Sequence, residues 1–210
     1  MELYKSILLL ISLPAILTFS AEACAPRMAP SPAPSSQFLP LIDHLPPAPS
    51  PISESLSSVD HPIQKVCKVT SHPTECVTAI LPLFNGHTDP ISVLMLEIQA
   101  LANQTRQSID KATEISEDSS TSSLTVTCLK TCIDMYQTAI DDLQSALDAI
   151  AARDRGTLNS FLSAVYTDID TCSDTFAEQD DLVSPMDETD MGLKKLSANN
   201  LDIATVFVHF

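Results

Sequence analysis

Carboxylates and sulfur are the two reactive chemistries that this chain offers in quantity: 27 Asp and Glu stand against 11 Lys and Arg, with six cysteines. The densest carboxylate group is Asp168, Asp170 and Asp174, next to Cys172. An acid/base pair needs a cleft that drives two pKa values apart. On a helix Asp170 and Asp174 share a face, whereas Asp168 and Asp170 diverge by roughly 200°. That arrangement suits a solvated or partner-binding face better than a catalytic one. Cys128 and Cys132 lie four residues apart on one helix face, but no histidine stands near enough to complete a zinc set, and oxidising surroundings consume thiols. His44, His61, His72, His87 and His209 are scattered without a nucleophile at a recognisable spacing, and there is no Gly-rich phosphate loop. The expectation is a non-enzyme, with no catalytic residue, no metal and no cofactor.

Sulfur is more informative as a staple. Cys67 and Cys76 bracket a stretch containing the helix breaker Pro73, a spacing that a helical hairpin can close. Cys132 and Cys172 lie on two amphipathic segments joined by a polar loop around Arg155. Folded back as antiparallel helices, these thiols reach heights within about 9 Å at ~1.5 Å per residue. Tilt and loop geometry can absorb that gap. Six cysteines permit 15 connectivities. The bundle argument selects Cys67–Cys76 and Cys132–Cys172, and leaves Cys24 and Cys128 to pair together, to bond another molecule or to stay as thiols. Cys128 could also compete with Cys132 for Cys172.

The compartment follows from the first residues. Lys5, the apolar run Ile7 to Leu17 and Ala21-Glu22-Ala23 read as a secretory signal peptide over residues 1–23. The run falls short of the ~20 apolar residues that a membrane span requires. The net charge is −16, and removing Glu2, Lys5 and Glu22 leaves −15. A field of that sign repels nucleic acid, anionic lipid and acidic polysaccharide and favours a basic protein partner. Three glycines, no Trp and few aromatics speak against a β-rich fold.

Residues 24–60 are dominated by Pro, Ser and Ala, as in Ala29-Pro30-Ser31-Pro32-Ala33-Pro34, and form an expected disordered linker. It is either a plain spacer or a sugar-bearing stalk. Residues 61–210 change to helical periodicity. Ile63 to Val69 and Thr74 to Phe84 are two short helices with Pro73 at the turn. Four longer stripes follow: Ile91, Leu94, Ile98, Leu101, Thr105, Ser108, Ala112; then Leu129, Cys132, Tyr136, Ala139, Leu143, Leu147, Ile150. The third runs Leu158, Leu162, Val165, Ile169, Cys172, Phe176, and the last Leu193, Leu196, Asn200, Ile203, Phe207, Phe210. Polar loops fall at Ser116 to Ser123, Asp154-Arg155-Gly156 and Asp180 to Asp187, with Thr157 and Asp187 as expected N-caps. Each stripe must be buried against the others. The fold class is therefore all-α: an up-down-up-down four-helix bundle with an N-terminal helical hairpin, disulfide-stapled.

Four blocks of residues resemble the plant invertase/pectin methylesterase inhibitor family. Cys67-x-x-Thr70-x-x-Pro73-x-x-Cys76 resembles its hairpin motif, with His72 where Tyr is usual, and Cys132-Ile133-Asp134-Met135-Tyr136 resembles its second cysteine block. The stretch from Phe161 to Phe176, with Phe161 in place of the usual Trp, is the closest match, and Leu196 to Leu201 resembles the closing helix. The resemblance implies a bundle that forms a stoichiometric complex with a carbohydrate-active enzyme and blocks its active-site cleft. Cys24 and Cys128 stand outside the family pattern. In larger relatives the domain precedes an esterase domain; this chain is expected to act alone.

The first expected partner is pectin methylesterase, the second acid invertase. The invertase branch tends to carry a Pro-Lys-Phe element before the second cysteine block, where this chain reads Ser119 to Val126 without it. A structural wall glycoprotein is the reading from another class. The expected contact carboxylates are Asp141, Asp142 and Asp148, and Asp168, Asp170 and Asp174. Asn103-Gln104-Thr105 is an N-glycosylation sequon with Asn103 facing away from the apolar stripe. The expected location is extracellular, in the apoplast or cell wall rather than the vacuole.

Overall fold

The computed structural model describes residues 62–210. The signal-peptide and linker expectations, and Cys24, lie outside the described residues. Local chemistry sets the elements. In the hairpin, α1 spans Pro62–Cys67 and α2 spans Pro73–Ile80, followed by a 3-10 turn at Leu81–Leu83. Pro73 opens α2 rather than sitting in the turn, because a helix's first N–H has no partner to lose. The Thr70 hydroxyl donates to the Cys67 carbonyl at 2.8 Å and so satisfies an end group of α1. Pro82 confines the chain to the 3-10 turn, and Gly86, at φ 93, takes the left-handed conformation that ends the segment.

The bundle helices are α3 (Pro90–Glu117), α4 (Ser123–Ala152), α5 (Arg155–Ala177) and α6 (Asp187–Phe207). Asp89 caps α3 through Ser92 N–H at 3.0 Å, and Ser122 caps α4 through Thr125 N–H at 3.1 Å. The expected cap Thr157 is one turn inside α5; Asp154 caps instead, accepting Thr157 N–H at 3.0 Å. Met186 occupies the N-cap of α6 without a side-chain bond, and the acidic residues Asp187, Glu188 and Asp190 of its first turn complement the helix dipole. The α4–α5 turn is Arg153-Asp154, with Arg153 left-handed at φ 58, and Gly156 is helical rather than part of the loop. This displacement matters for the staple. With the turn centred there, the height offset between Cys132 and Cys172 shrinks to about 4.5 Å.

Each helix packs on its neighbour in the chain, and α6 closes the square against α3. The result is an all-α, up-down-up-down four-helix bundle with the hairpin seated on α3 and α6; among the described residues there is no strand. The stripes point inward as the periodicity predicts, except at their ends: Ile91, Leu147 and Phe207 are half-buried, and Phe210 lies exposed beyond α6. Cys67 and Cys76 are bonded with Cα atoms 5.7 Å apart, and Cys132 and Cys172 with Cα atoms 4.6 Å apart. Cys128 is buried outside any disulfide, its Sγ 3.9 Å from the Thr175 carbonyl oxygen.

A polar network lies against the interhelical disulfide. The fully buried Tyr136 hydroxyl donates to Asp190 Oδ1 and lies 3.3 Å from Cys172 Sγ. Ser173 donates to Asp190 Oδ2 at 3.3 Å, and Lys194 bridges Ser173 to Asp170. Burial pushes the Asp190 carboxyl up to about 6, against the pull of those hydrogen bonds.

Replacing Cys132 and Cys172 together by Ala should cost about 4 kcal/mol of unfolding free energy, from the loop entropy that a 40-residue closure removes. Replacing Cys67 and Cys76, nine residues apart, should cost about 2.5 kcal/mol. Equilibrium urea unfolding reads both. The pairwise substitutions keep Cys128 from inheriting a partner.

Candidate functional site

The six expected contact carboxylates fall on α4 and α5, but helix packing divides them into four settings. Asp142 of α4 lies near enough to Asp168 of α5 for its charge to act across the α4–α5 seam. Burial raises the half-buried Asp168 carboxyl to about 6, with the negative charge of Asp142 adding to the rise. Its Oδ2 makes no hydrogen bond within the protein. Asp142 is itself raised, by burial first and by Asp141 second. Asp170 turns to the other side of α5 and pairs with Lys194 of α6 at 2.9 Å. Asp174 is exposed near the end of α5.

Asp141 lines a groove between α3 and α4 together with Arg106, Gln99 and Gln144. Asp148 accepts a hydrogen bond from Gln144 at 3.2 Å, one turn along α4. The acidic surface is therefore one pair on the α4–α5 seam, the ion-paired Asp170, the exposed Asp174, and Asp141 and Asp148 along α4 beside Gln144. Two adjacent carboxyls that are costly to ionise form a site that a positive group relieves. Among the described residues, no three His, Cys, Asp or Glu side chains cluster as a metal set.

The seat of the hairpin contains the functional-looking residues that periodicity alone did not single out. Asn199 of α6 grips the turn of the hairpin by pairing with one backbone unit. Its Oδ1 accepts His72 N–H and its Nδ2 donates to the His72 carbonyl, both at 3.0 Å. Asp202, a turn further along, accepts both the N–H and the hydroxyl of Ser71, at 2.6 and 2.7 Å. Lys195 holds Glu75 of α2 at 2.8 Å. His72, at the turn, is half-buried by these contacts.

Beneath the turn lies Glu97 of α3, which is 0% exposed. Asn199 Nδ2 donates to its Oε1 at 3.2 Å, while Oε2 has no protein partner. Burial pushes Glu97 up to about 8, only partly offset by the Asn199 bond. The sequence does carry a signal for it, since Glu97 is three residues from Leu94 and four from Leu101, within the apolar stripe.

The sequence profile described as Plant invertase/pectin methylesterase inhibitor matches residues 61–203. The chain belongs to the plant invertase/pectin methylesterase inhibitor family. Among curated relatives, an Arabidopsis thaliana protein named "Putative pectinesterase/pectinesterase inhibitor 26" is 29% identical over 156 residues, covering 68% of this chain and 16% of that protein. "Pectinesterase 1" of Arabidopsis thaliana is 25% identical over 126 residues, 55% of this chain and 21% of that protein. The chain thus spans about a fifth or less of these relatives. The crystal structure of a mutant form of an Arabidopsis pectin methylesterase inhibitor matches at TM-score 0.58 and 21% identity, covering 69% of this chain and 96% of that one. A second Arabidopsis pectin methylesterase inhibitor structure matches at TM-score 0.53 and 20% identity, covering 72% and 100%. At these identities the structures show that the inhibitor fold is shared.

A raised carboxyl makes stability fall with pH. Glu97 binds a proton in the folded state at pH values where the unfolded chain has released it. Its contribution is therefore complete below the ordinary carboxylate pKa of about 4.5 and is lost as pH rises to about 8. The thermal midpoint should decline over that window, and Glu97→Gln should remove most of the slope. A parallel decline in both proteins would assign the pH dependence to other groups.

Proposed function

We propose that the chain is a secreted proteinaceous inhibitor that binds pectin methylesterase stoichiometrically and covers its active-site cleft, restraining pectin de-esterification in the cell wall. The observation that carries this reading is membership of an inhibitor family across residues 61–203, on a stapled bundle whose α4–α5 seam holds an Asp168 oxygen with no hydrogen bond within the protein. Pectin methylesterase is favoured over invertase for two reasons. Both curated relatives bear pectinesterase names, and Ser119 to Val126 carries no Pro-Lys-Phe element.

The mechanism is steric and electrostatic. Two disulfides and a closed four-helix core hold the surface rigid, so little conformational freedom is lost on binding. The Asp142–Asp168 pair presents concentrated negative charge that a basic rim on the partner can neutralise. A cation placed against Asp168 stabilises its ionised form, so complex formation drives off a proton wherever Asp168 is protonated in the free inhibitor. Affinity should then rise as pH increases through about 6.

Purified protein assayed side by side against a pectin methylesterase and an acid invertase tests the target. Inhibition of the esterase alone, at one-to-one equivalence, is expected; inhibition of invertase alone overturns the assignment, and inhibition of neither favours the structural glycoprotein. For the seam, Asp168→Asn should weaken inhibition several-fold at neutral pH and flatten its pH profile. Identical profiles for wild type and variant would remove Asp168 from the interface.

A further inference from the structure

Asn103 lies on α3 at the rim of the groove, about 550 Å³ in volume, that separates α3 from α4. Its side chain is exposed, and Arg106 Nη1 donates to its Oδ1 at 3.1 Å. A guanidinium has only donors, so the Asn103 carbonyl oxygen must be the end facing Arg106, and the amide nitrogen Nδ2 is turned away from it. A bond formed later at Nδ2 leaves the Arg106 contact in place. The groove floor is apolar, with Ile140 and Leu147, and its rim is polar, with Gln99, Gln144 and Asp141. A pyranose ring with an acetamido group presents the same division: a C–H face and a methyl on one side, hydroxyls and a carbonyl on the other.

Thr105 fixes when modification can occur. It is 0% exposed, and its hydroxyl donates to the Leu101 carbonyl at 2.9 Å within α3. The folded protein therefore hides the hydroxyl that makes Asn103-Gln104-Thr105 a sequon. The stripe bearing Thr105 is covered by α4 and α6, which are synthesised after α3. While those helices are still being made, the sequon is open.

We propose that Asn103 carries an N-linked oligosaccharide, attached to the nascent chain, whose first N-acetylhexosamine units lie in the α3–α4 groove. The donor is a polyprenyl-pyrophosphate oligosaccharide. Asn103 Nδ2 attacks C1 of its first sugar, the C1–N bond forms as the C1–O bond breaks, the polyprenyl pyrophosphate leaves with the bonding pair, and Nδ2 gives up one proton. The sugar then covers Asp141 and the neighbouring Gln144–Asp148 pair. Asp142 and Asp168, on the α4–α5 seam, remain the open acidic face, and a protein partner is steered there. This placement rests on the secretory reading given above.

The test separates the two. Residues 24–210 behind a foreign secretory leader, and the whole chain with its own residues 1–23, are expressed in a eukaryotic host and weighed intact. With the foreign leader, wild type and Thr105→Ser should exceed the polypeptide mass by one N-glycan, and Asn103→Gln should not. Unmodified wild type from that leader overturns the glycosylation site. A glycosylated product from the foreign leader, with no secretion from the native one, supports the site and overturns only the secretory reading.

Seating in the groove is read from methyl NMR of Ile140 and Leu147. The glycosylated protein is compared with unmodified wild type made in a bacterial oxidising compartment. Shifted methyl resonances are expected. A glycosylated protein whose Ile140 and Leu147 methyls are unmoved overturns the groove as the sugar's seat.

Discussion

The bond between Cys132 and Cys172 fixes the height of α4 against α5, and the surface that follows depends on that register. Helices held only by interdigitating apolar side chains have several near-equivalent ways to slide by a turn. A covalent link between inward stripes removes that freedom, and the Tyr136–Asp190 hydrogen bond beside it ties α4 to α6 in the same layer. A single layer of the core thus joins α4, α5 and α6 by sulfur, hydroxyl and carboxyl. The Asp142–Asp168 pair is a consequence of that register. Shifted by one turn, Asp168 would lose the neighbour whose charge adds to its raised pKa.

Polar groups here divide by what satisfies them. Asp190 is buried, yet it accepts from Tyr136 and Ser173, so its carboxyl is raised only to about 6. Glu97 has one hydrogen bond and one unpartnered oxygen, and burial carries it to about 8. Asp190 is held lower by the donors Tyr136 and Ser173 and by the charge of Lys194, whereas desolvation of Glu97 is opposed by Asn199 alone. Glu97 is consequently neutral under acidic conditions, when Asn199 can both contact it and hold the hairpin turn without stranding a charge. Hairpin seating and bundle core share that one amide, which links the first helices of the domain to the last.

Much of the fold was legible from residue spacing. Leu158, Leu162, Val165, Ile169, Cys172 and Phe176 sit at alternating four- and three-residue steps, and all six are buried. Thr157 misled as a cap because a neighbouring residue also carries a suitable oxygen, and Asp187 because the N-cap of α6 falls one residue earlier, at Met186, with no side-chain cap at all. At the α5 start Asp154 makes the capping contact instead. The candidate site was less legible. Asp168, Asp170 and Asp174 read as one cluster, but Asp170 is committed to Lys194, 24 residues later in the chain.

The sequence by itself determined the helices, their buried stripes and which cysteines could meet. Those depend on periodicity within a segment and on distance from a turn, both of which are local properties. Tertiary structure alone decided that the charge of Asp142 bears on Asp168, that Asp141 borders the α3–α4 groove, and that Glu97 lies beneath the hairpin against Asn199. Each pairing joins separate helices, so it depends on their relative height and rotation. A small shift of the turn, from around Arg155 to Arg153-Asp154, changes that register without altering any stripe.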